Sequence, residues 1–179
     1  MLAGAPDALL DSYEAERRPV AADMLGLSGR LLEAAKHGPM RRGREVHQLD
    51  LGYPGSSLAL AGTGRSGGRQ AGDRAPDAPV RGAGGQPTRL FELFRGPHWT
   101  LLGYEVDRAA AVAPRPNLRI HTVGRRGDLI DDGGHLRDGY GVAAGDWILV
   151  RPDGYIGAVV SSGESAALTH YLARVGLAV

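Results

Sequence analysis

The sequence predicts an α/β chain in which a long N-terminal helical segment precedes a domain built on a central mixed sheet with flanking helices. Three observations carry this reading. Apolar residues recur every three or four positions across residues 7 to 36, giving one helical stripe. Short apolar runs bounded by Gly, Pro and Asp alternate with helical patterns after residue 88. The two regions are separated by a stretch from Gly62 to Pro87 with eight Gly, three Pro and four Arg and almost nothing apolar.

Taken in order, the first helix is marked by Leu9, Tyr13, Val20, Met24, Leu27 and Leu31 on one face. Asp7 after Pro6 is its expected cap and His37 to Pro39 its stop. Pro19 lies inside the run, where it removes a backbone donor, so a kink or a division into two helices is expected. "REVHQLDLGYPGSSLALA" carries β-formers in alternation and predicts one or two short strands ending near Ala61. Residues 1–61 thus form a first part, residues 62–87 a linker or long surface loop, and residues 88–179 the compact domain.

Within that domain "TRLFELFRG" predicts a short helix, "HWTLLGYEV" a buried strand, "DRAAAVA" a helix and "LRIHTVG" a second strand. "DWILVRPDGYIGAVV" predicts a hairpin whose "RPDG" turn sets Pro and Gly where a tight turn uses them. "SSGESAALTHYLARVG" predicts a closing helix, with Ser161 and Glu164 in capping-box spacing and Gly176 at its end. The resulting order, β, α, β, β, β, α after an initial helix, is the thioredoxin-like order.

Composition narrows the chemistry. Lys and Arg number 21 against 20 Asp and Glu, a net charge of +1, which gives no reason to expect nucleic acid or an anionic membrane as a partner. No apolar run approaches the length of a membrane span, and the first ten residues have neither a basic region nor a continuous apolar one. A cytoplasmic location is expected. The absence of cysteine excludes disulfides, thiolate metal sites and dithiol redox chemistry.

Several residue patterns invite a site. "GTGRSG", Gly62 to Gly67, satisfies the G-x-G-x-x-G spacing, but Gly72, Pro76 and Pro79 follow too closely for the helix whose N-terminus would hold a pyrophosphate. Asp128, Asp131 and Asp132 could face a hard cation, yet their spacing matches no calcium loop and a polar turn is expected. Ser161, Ser162 and His170 lack an oxyanion-hole loop, and the serines read as helix-capping hydroxyls. The six histidines are scattered, with no pair four apart for a helical metal site. Tyr53, Trp99, Tyr104, Trp147 and Tyr155 could line a groove between helix and domain, but most read as core aromatics. No catalytic, cofactor-binding or metal-binding residue is therefore assigned.

The motifs taken together carry a resemblance. "YGVAAGDWILVRPDGYIGAVV" looks like the second half of a thioredoxin fold in which Asp146 stands where a cis-proline normally opens the strand. The dithiol position, around Asp107 to Ala110, holds no Cys. "LLDSYEAERRPVA", "QLDLGYPGSSLA", "GDRAPDAPV", "LFELFRGPHWTLLGYE" and "LVRPDGYIG" in that order resemble the C-terminal part of class A FAD-dependent aromatic hydroxylases, which oxygenate aromatic polyketides and related antibiotics. The resemblance implies that the first helix packs on a flavoprotein body, and that the Gly-rich FAD-binding unit, the "DG" motif and the "GD" flavin motif lie ahead of residue 1. "GDRAPD", Gly72 to Asp77, is then a structural copy of the last.

On this reading FAD and NAD(P)H belong to the full-length family and neither is bound by this chain alone. Its role is structural and subunit-contacting, not catalytic. Tyr13, Glu14, Arg17 and Arg18 are the residues expected to contact the body or a partner, with Glu14, Glu16, Arg17 and Arg18 otherwise reading as solvated charges paired between turns. The alternative is a freestanding, non-redox thioredoxin-like binding or dimerisation protein that works on or with aromatic polyketides or a partner oxygenase. An uncovered apolar stripe on the helix predicts a homodimer in which each chain's helix covers the other.

Overall fold

The computed structural model describes residues 7–37, 50–60, 67–107 and 112–177. Helix α1 (Asp7–His37) is a single 31-residue element, followed by β1 (Pro79–Gly82), β2 (Pro87–Arg89), α2 (Leu90–Phe94), β3 (Trp99–Tyr104), β4 (Leu118–Val123) and β5 (Leu129–Ile130). Helix α3 (His135–Tyr140), the hairpin β6 (Asp146–Val150) and β7 (Ile156–Val160), a 3₁₀ turn at Ser162–Glu164 and α4 (Ser165–Arg174) complete the chain. Pro19 does not divide α1. Pro19 and Ala15, whose carbonyl loses the helical partner, both lie on the exposed side, where water can accept the role of donor.

One seven-stranded mixed sheet runs in the order β2-β1-β5-β4-β3-β6-β7. Strand β3 is parallel to β4 and antiparallel to β6, and every residue of β3, β6 and β7 is buried. That double-sided burial is why these segments read as nearly continuous apolar runs and not as alternation. The strand pair β3 and β4 followed by the antiparallel β6–β7 hairpin and α4 is the thioredoxin-like arrangement expected from the element order.

Period-two geometry sorts the central side chains onto two faces. Leu102, Tyr104, Ile148 and Val150 join Leu90, Phe94, Leu136 and Tyr140 beneath α2 and α3. Trp99, Leu101, Trp147 and Leu149 join Leu168, Tyr171 and Leu172 beneath α4. A register shift between β6 and β7 pairs Val150 with Ile156 but Leu149 with Ala158, so that Gly157 is the extra residue. A Cβ on Gly157 would lie 2.8 Å from the Tyr171 hydroxyl, which donates to Leu58 O at 2.6 Å.

Capping fixes the closing helix as its spacing predicts: Ser161 and Glu164 form a capping box, with Ser161 N donating to Glu164 Oε2 at 3.0 Å. Gly176 ends the helix at φ +82°.

The structure corrects four expectations. Residues 67–87 are not a linker: β1 and β2 belong to the sheet, and Ala75, Ala78 and Val80 are core residues. Glycine makes this possible by close approach, since a Cβ on Gly68 would sit 2.7 Å from Tyr140 O. Residues 50–60 form turns with one bridge, Leu60 to Ala158, in place of the strands expected there. The expected polar turn at 128–135 holds β5 and opens α3, whose start Asp131 caps by accepting Leu136 N (3.1 Å) and Arg137 N (3.0 Å). Tyr13, assigned to the apolar stripe, is 67% exposed. The expected helix at 107–113 and the Gly62–Gly67 pattern fall largely outside the described residues, and Asp7, the expected cap, is the first residue of α1.

Candidate functional site at the helix-domain junction

The inward face of α1 runs through Leu9, Ser12, Glu16, Val20, Met24, Leu27 and Leu31, a three-and-four spacing in which Ser12 and Glu16 replace the expected Tyr13. Glu16 is thereby carried into the interior with a side chain only 4% exposed. An isolated carboxylate could not remain charged there, so its partners define the site.

The main partner is Arg151, at the end of β6, whose side chain is 5% exposed. Its Nη1 and Nη2 donate to Glu16 Oε1 and Oε2, each at 2.6 Å, a bidentate fork. The "RPDG" turn closes through Gly154 N to Arg151 O (3.0 Å) and aims Asp153 back at the same guanidinium, which reaches Oδ2 at 2.7 Å. Arg17, one residue after Glu16, meets Asp153 Oδ2 at 3.3 Å and donates to the Tyr53 hydroxyl at 2.9 Å. Ser56 Oγ donates to Glu16 Oε1. The rings of Tyr53 and Tyr155 lie 4.7 Å apart, with the Arg17 guanidinium 5.3 Å from the Tyr53 centroid.

Charges therefore alternate along three linked ion pairs, Glu16–Arg151, Arg151–Asp153 and Asp153–Arg17. Burial alone would raise the Glu16 pKa, but hydrogen bonds from Arg151 and Ser56 and the charges of Arg151 and Arg17 outweigh it and hold the carboxyl below its ordinary value. For Arg151 burial works the other way and is likewise outweighed, by Glu16 and Asp153, leaving the guanidinium above its ordinary value. Burial, with Tyr155 beside it, raises the Tyr53 hydroxyl. Both Glu16 oxygens are occupied by donors and every charge has a counter-charge, an arrangement suited to holding two elements together and not to moving protons.

Of the expected contact residues, Arg17 is brought into this cluster, whereas Glu14 and Arg18 pair with each other on the outer surface at 3.7 Å and Tyr13 stands exposed. The solvated-pair reading holds for Glu14 and Arg18 but not for Glu16 and Arg17. Glu16 as a buried anchor, and Arg151 at all, were not anticipated. The available signals were a Glu on the buried period of α1 and an Arg closing the four-residue apolar run Trp147–Val150.

The remaining candidates are accounted for locally. Asp128 accepts Thr122 N at 2.9 Å and Asp132 pairs with Arg81, and no group of three or more metal-ligating side chains occurs among the described residues. His170 is exposed. Tyr53, Trp99, Tyr104, Trp147 and Tyr155 are all buried. Asp146, at the proline position, accepts Ala143 N at 2.9 Å. Gly72 and Asp73 are tied into the fold: Gly72 N donates to Ile156 O (2.7 Å), Gly72 O accepts Tyr53 N (2.8 Å), and Asp73 Oδ2 accepts Gln70 N (2.9 Å). No helix among the described residues is long and apolar enough to cross a membrane.

Comparison with known proteins gives this junction its context. A flavin-dependent monooxygenase of Mycobacteroides abscessus is 41% identical over 175 residues, which cover 96% of this chain and 32% of that protein. Aklavinone-11 hydroxylase, solved in a ternary complex with FAD and aklavinone, is 27% identical with a TM-score of 0.69, over 97% of this chain and 36% of that one. Anhydrotetracycline hydroxylase from Streptomyces rimosus is 26% identical with a TM-score of 0.60, over 97% and 36%. The chain thus spans about a third of the length of the relatives it matches. Residues 68–176 match the family described as aromatic-ring hydroxylase, C-terminal, and they include the β6–β7 turn that receives Glu16. The chain belongs to the aromatic-ring hydroxylase C-terminal family.

Proposed function

We propose that this chain serves as the C-terminal region of an FAD-dependent monooxygenase that hydroxylates aromatic polyketides in antibiotic biosynthesis, with a structural and subunit-contact role and no chemistry of its own. The observation that carries the reading is the 41% identity to a flavin-dependent monooxygenase, spread over nearly all of this chain and confined to 32% of the relative. The substrate class is supported by the relatives' aklavinone and anhydrotetracycline, and the cofactor by the FAD in one of those complexes. FAD and NAD(P)H would act on the whole protein, in the cytoplasm, and not on the residues described above.

Contact with the flavoprotein body falls to the outer surface of α1. Tyr13, Glu14, Arg18 and the part-exposed Arg17 lie there with Leu10, Leu25 and Leu32, which are 72%, 76% and 66% exposed. Three exposed leucines within about a sixth of the helix circumference are costly in water and are suited to a covering partner. The same exposure supports a second reading, a homodimer through α1.

The test is an FAD titration and an NADPH oxidation assay on the purified 179-residue chain, with sedimentation to fix its mass. The expected result is a colourless protein that oxidises no NADPH. Stoichiometric flavin binding would overturn the structural role. A dimer that Leu25→Glu converts to a folded monomer would favour the second reading over the first.

A further inference from the structure

We infer that the alternating chain of ion pairs Glu16–Arg151–Asp153–Arg17 is a latch that sets the seating of α1 on the mixed-sheet domain, so that breaking it frees the helix while the sheet stays folded. This goes beyond the role proposed above and does not depend on it, because it concerns two parts of one chain.

Four observations converge. Among the described residues, α1 contributes nothing to either hydrophobic cluster of the domain. Among the described residues it has no extensive packing against another helix or strand. It is joined to the β6–β7 turn by the fork from Arg151 to Glu16, a buried pair drawn from positions 135 residues apart. The linked pairs and their neighbours come from three separate segments: α1 supplies Glu16 and Arg17, the 53–56 turn supplies Tyr53 and Ser56, and the β6–β7 turn supplies Arg151 and Asp153.

Apolar contact is non-directional and would let a long helix roll or slide, whereas a planar guanidinium meeting a carboxylate edge-on fixes both angle and register. Asp153 supplies the linking element by bonding both arginines, so the orientation of Arg151 is itself held. Glu16→Gln keeps the side chain's shape but removes the charge that Arg151 faces, leaving a buried guanidinium with Asp153 alone. The latch then loses its fork, not its volume.

The absence of native cysteine makes the test direct. Spin labels on Ala21→Cys in α1 and Ala166→Cys in α4, both at exposed positions, report the helix-to-domain distance by pulsed electron resonance. Both tryptophans, Trp99 and Trp147, lie in the domain core, so tryptophan fluorescence reports the folding of the domain separately from the helix. The parent should give one narrow distance distribution. Glu16→Gln should broaden it at least twofold in width with the fluorescence unfolding midpoint unchanged, while the exposed control Asp23→Asn leaves it narrow. A narrow distribution in Glu16→Gln would overturn the latch. So would broadening that appears only together with a lowered midpoint, since the linked pairs would then be part of the domain's own stability.

Discussion

Gly72→Ala tests how the turn carrying Tyr53 and Ser56 is held against the sheet. Gly72 has φ +93°, a conformation that strains any L-residue by about 1–3 kcal/mol. Its missing Cβ would also lie 2.4 Å from Tyr53 O and 2.5 Å from Tyr53 C, both backbone atoms that cannot rotate away. Making room separates the two strands of chain and weakens the hydrogen bonds Tyr53 N to Gly72 O (2.8 Å) and Gly72 N to Ile156 O (2.7 Å), each contributing about 1 kcal/mol. The sum is about 4 kcal/mol, which for a chain of this size lowers Tm by about 8–16 °C. The control is Gly85→Ala, at φ +84° with nothing within 4 Å of the new Cβ, where only the strain of about 1–3 kcal/mol applies. Thermal unfolding followed by circular dichroism on parent and both variants separates the two contributions. Equal losses for Gly72→Ala and Gly85→Ala would refute the packing account, leaving the backbone angle as the whole effect.

Trp147→Ala removes the largest fully buried side chain, beneath α4 and against Gly103, and should cost about 3–5 kcal/mol in urea denaturation. Glu164→Ala takes away the acceptor of Ser161 N and should cost about 1 kcal/mol with the sheet intact, seen as earlier exchange of the α4 amides. Acidification should release α1: the Glu16 carboxyl, faced by Arg151, Arg17, Ser56 and Asp153, has a folded-state pKa below its unfolded one. Its contribution is therefore fully present above the ordinary carboxylate pKa of about 4.3 and lost as pH falls through the lower folded value. A pH titration of the α1-to-α4 spin-label distance should be flat through neutrality and broaden only in acid; broadening near pH 7 would contradict it.

Long or strongly patterned elements were legible in the sequence. Helix α1 declares itself over eight turns, β3 and the β6–β7 hairpin by buried apolar runs with turn residues between them, β4 by its β-formers, and α4 by its capping box. What escaped was short: β5 has two residues, β2 three, β1 four and α3 six, too few for any period to emerge. The glycines of residues 67–87 misled for a physical reason. The same residue type that makes a linker pliable also permits the close backbone approaches at Gly68 and Gly72. The site was half-visible. The charges of α1 were evident, but which of them turn inward depends on a partner 135 residues away, and only folding brings Arg151 to Glu16.

The position that would hold the cis-proline in a thioredoxin-like scaffold is instead occupied by a group that completes the fold. Asp146, where the cis-proline would stand, accepts Ala143 N while its own N donates to Ala143 O, so the approach to β6 is closed by its own side chain. Gly145 N donates to Tyr104 O, tying that approach to the end of β3, where the dithiol would follow. Those backbone groups and the Asp146 carboxylate are thus satisfied within the fold. The chain's unusual expenditure, a buried pair of opposite charges, lies instead at the junction with α1. Removing one member of such a pair leaves an uncompensated buried charge, whereas an apolar pair of similar volume is often equally stable. The ion pair is therefore better explained by what it specifies, the angle at which a 31-residue helix with an exposed leucine face leaves the domain, than by the stability it adds.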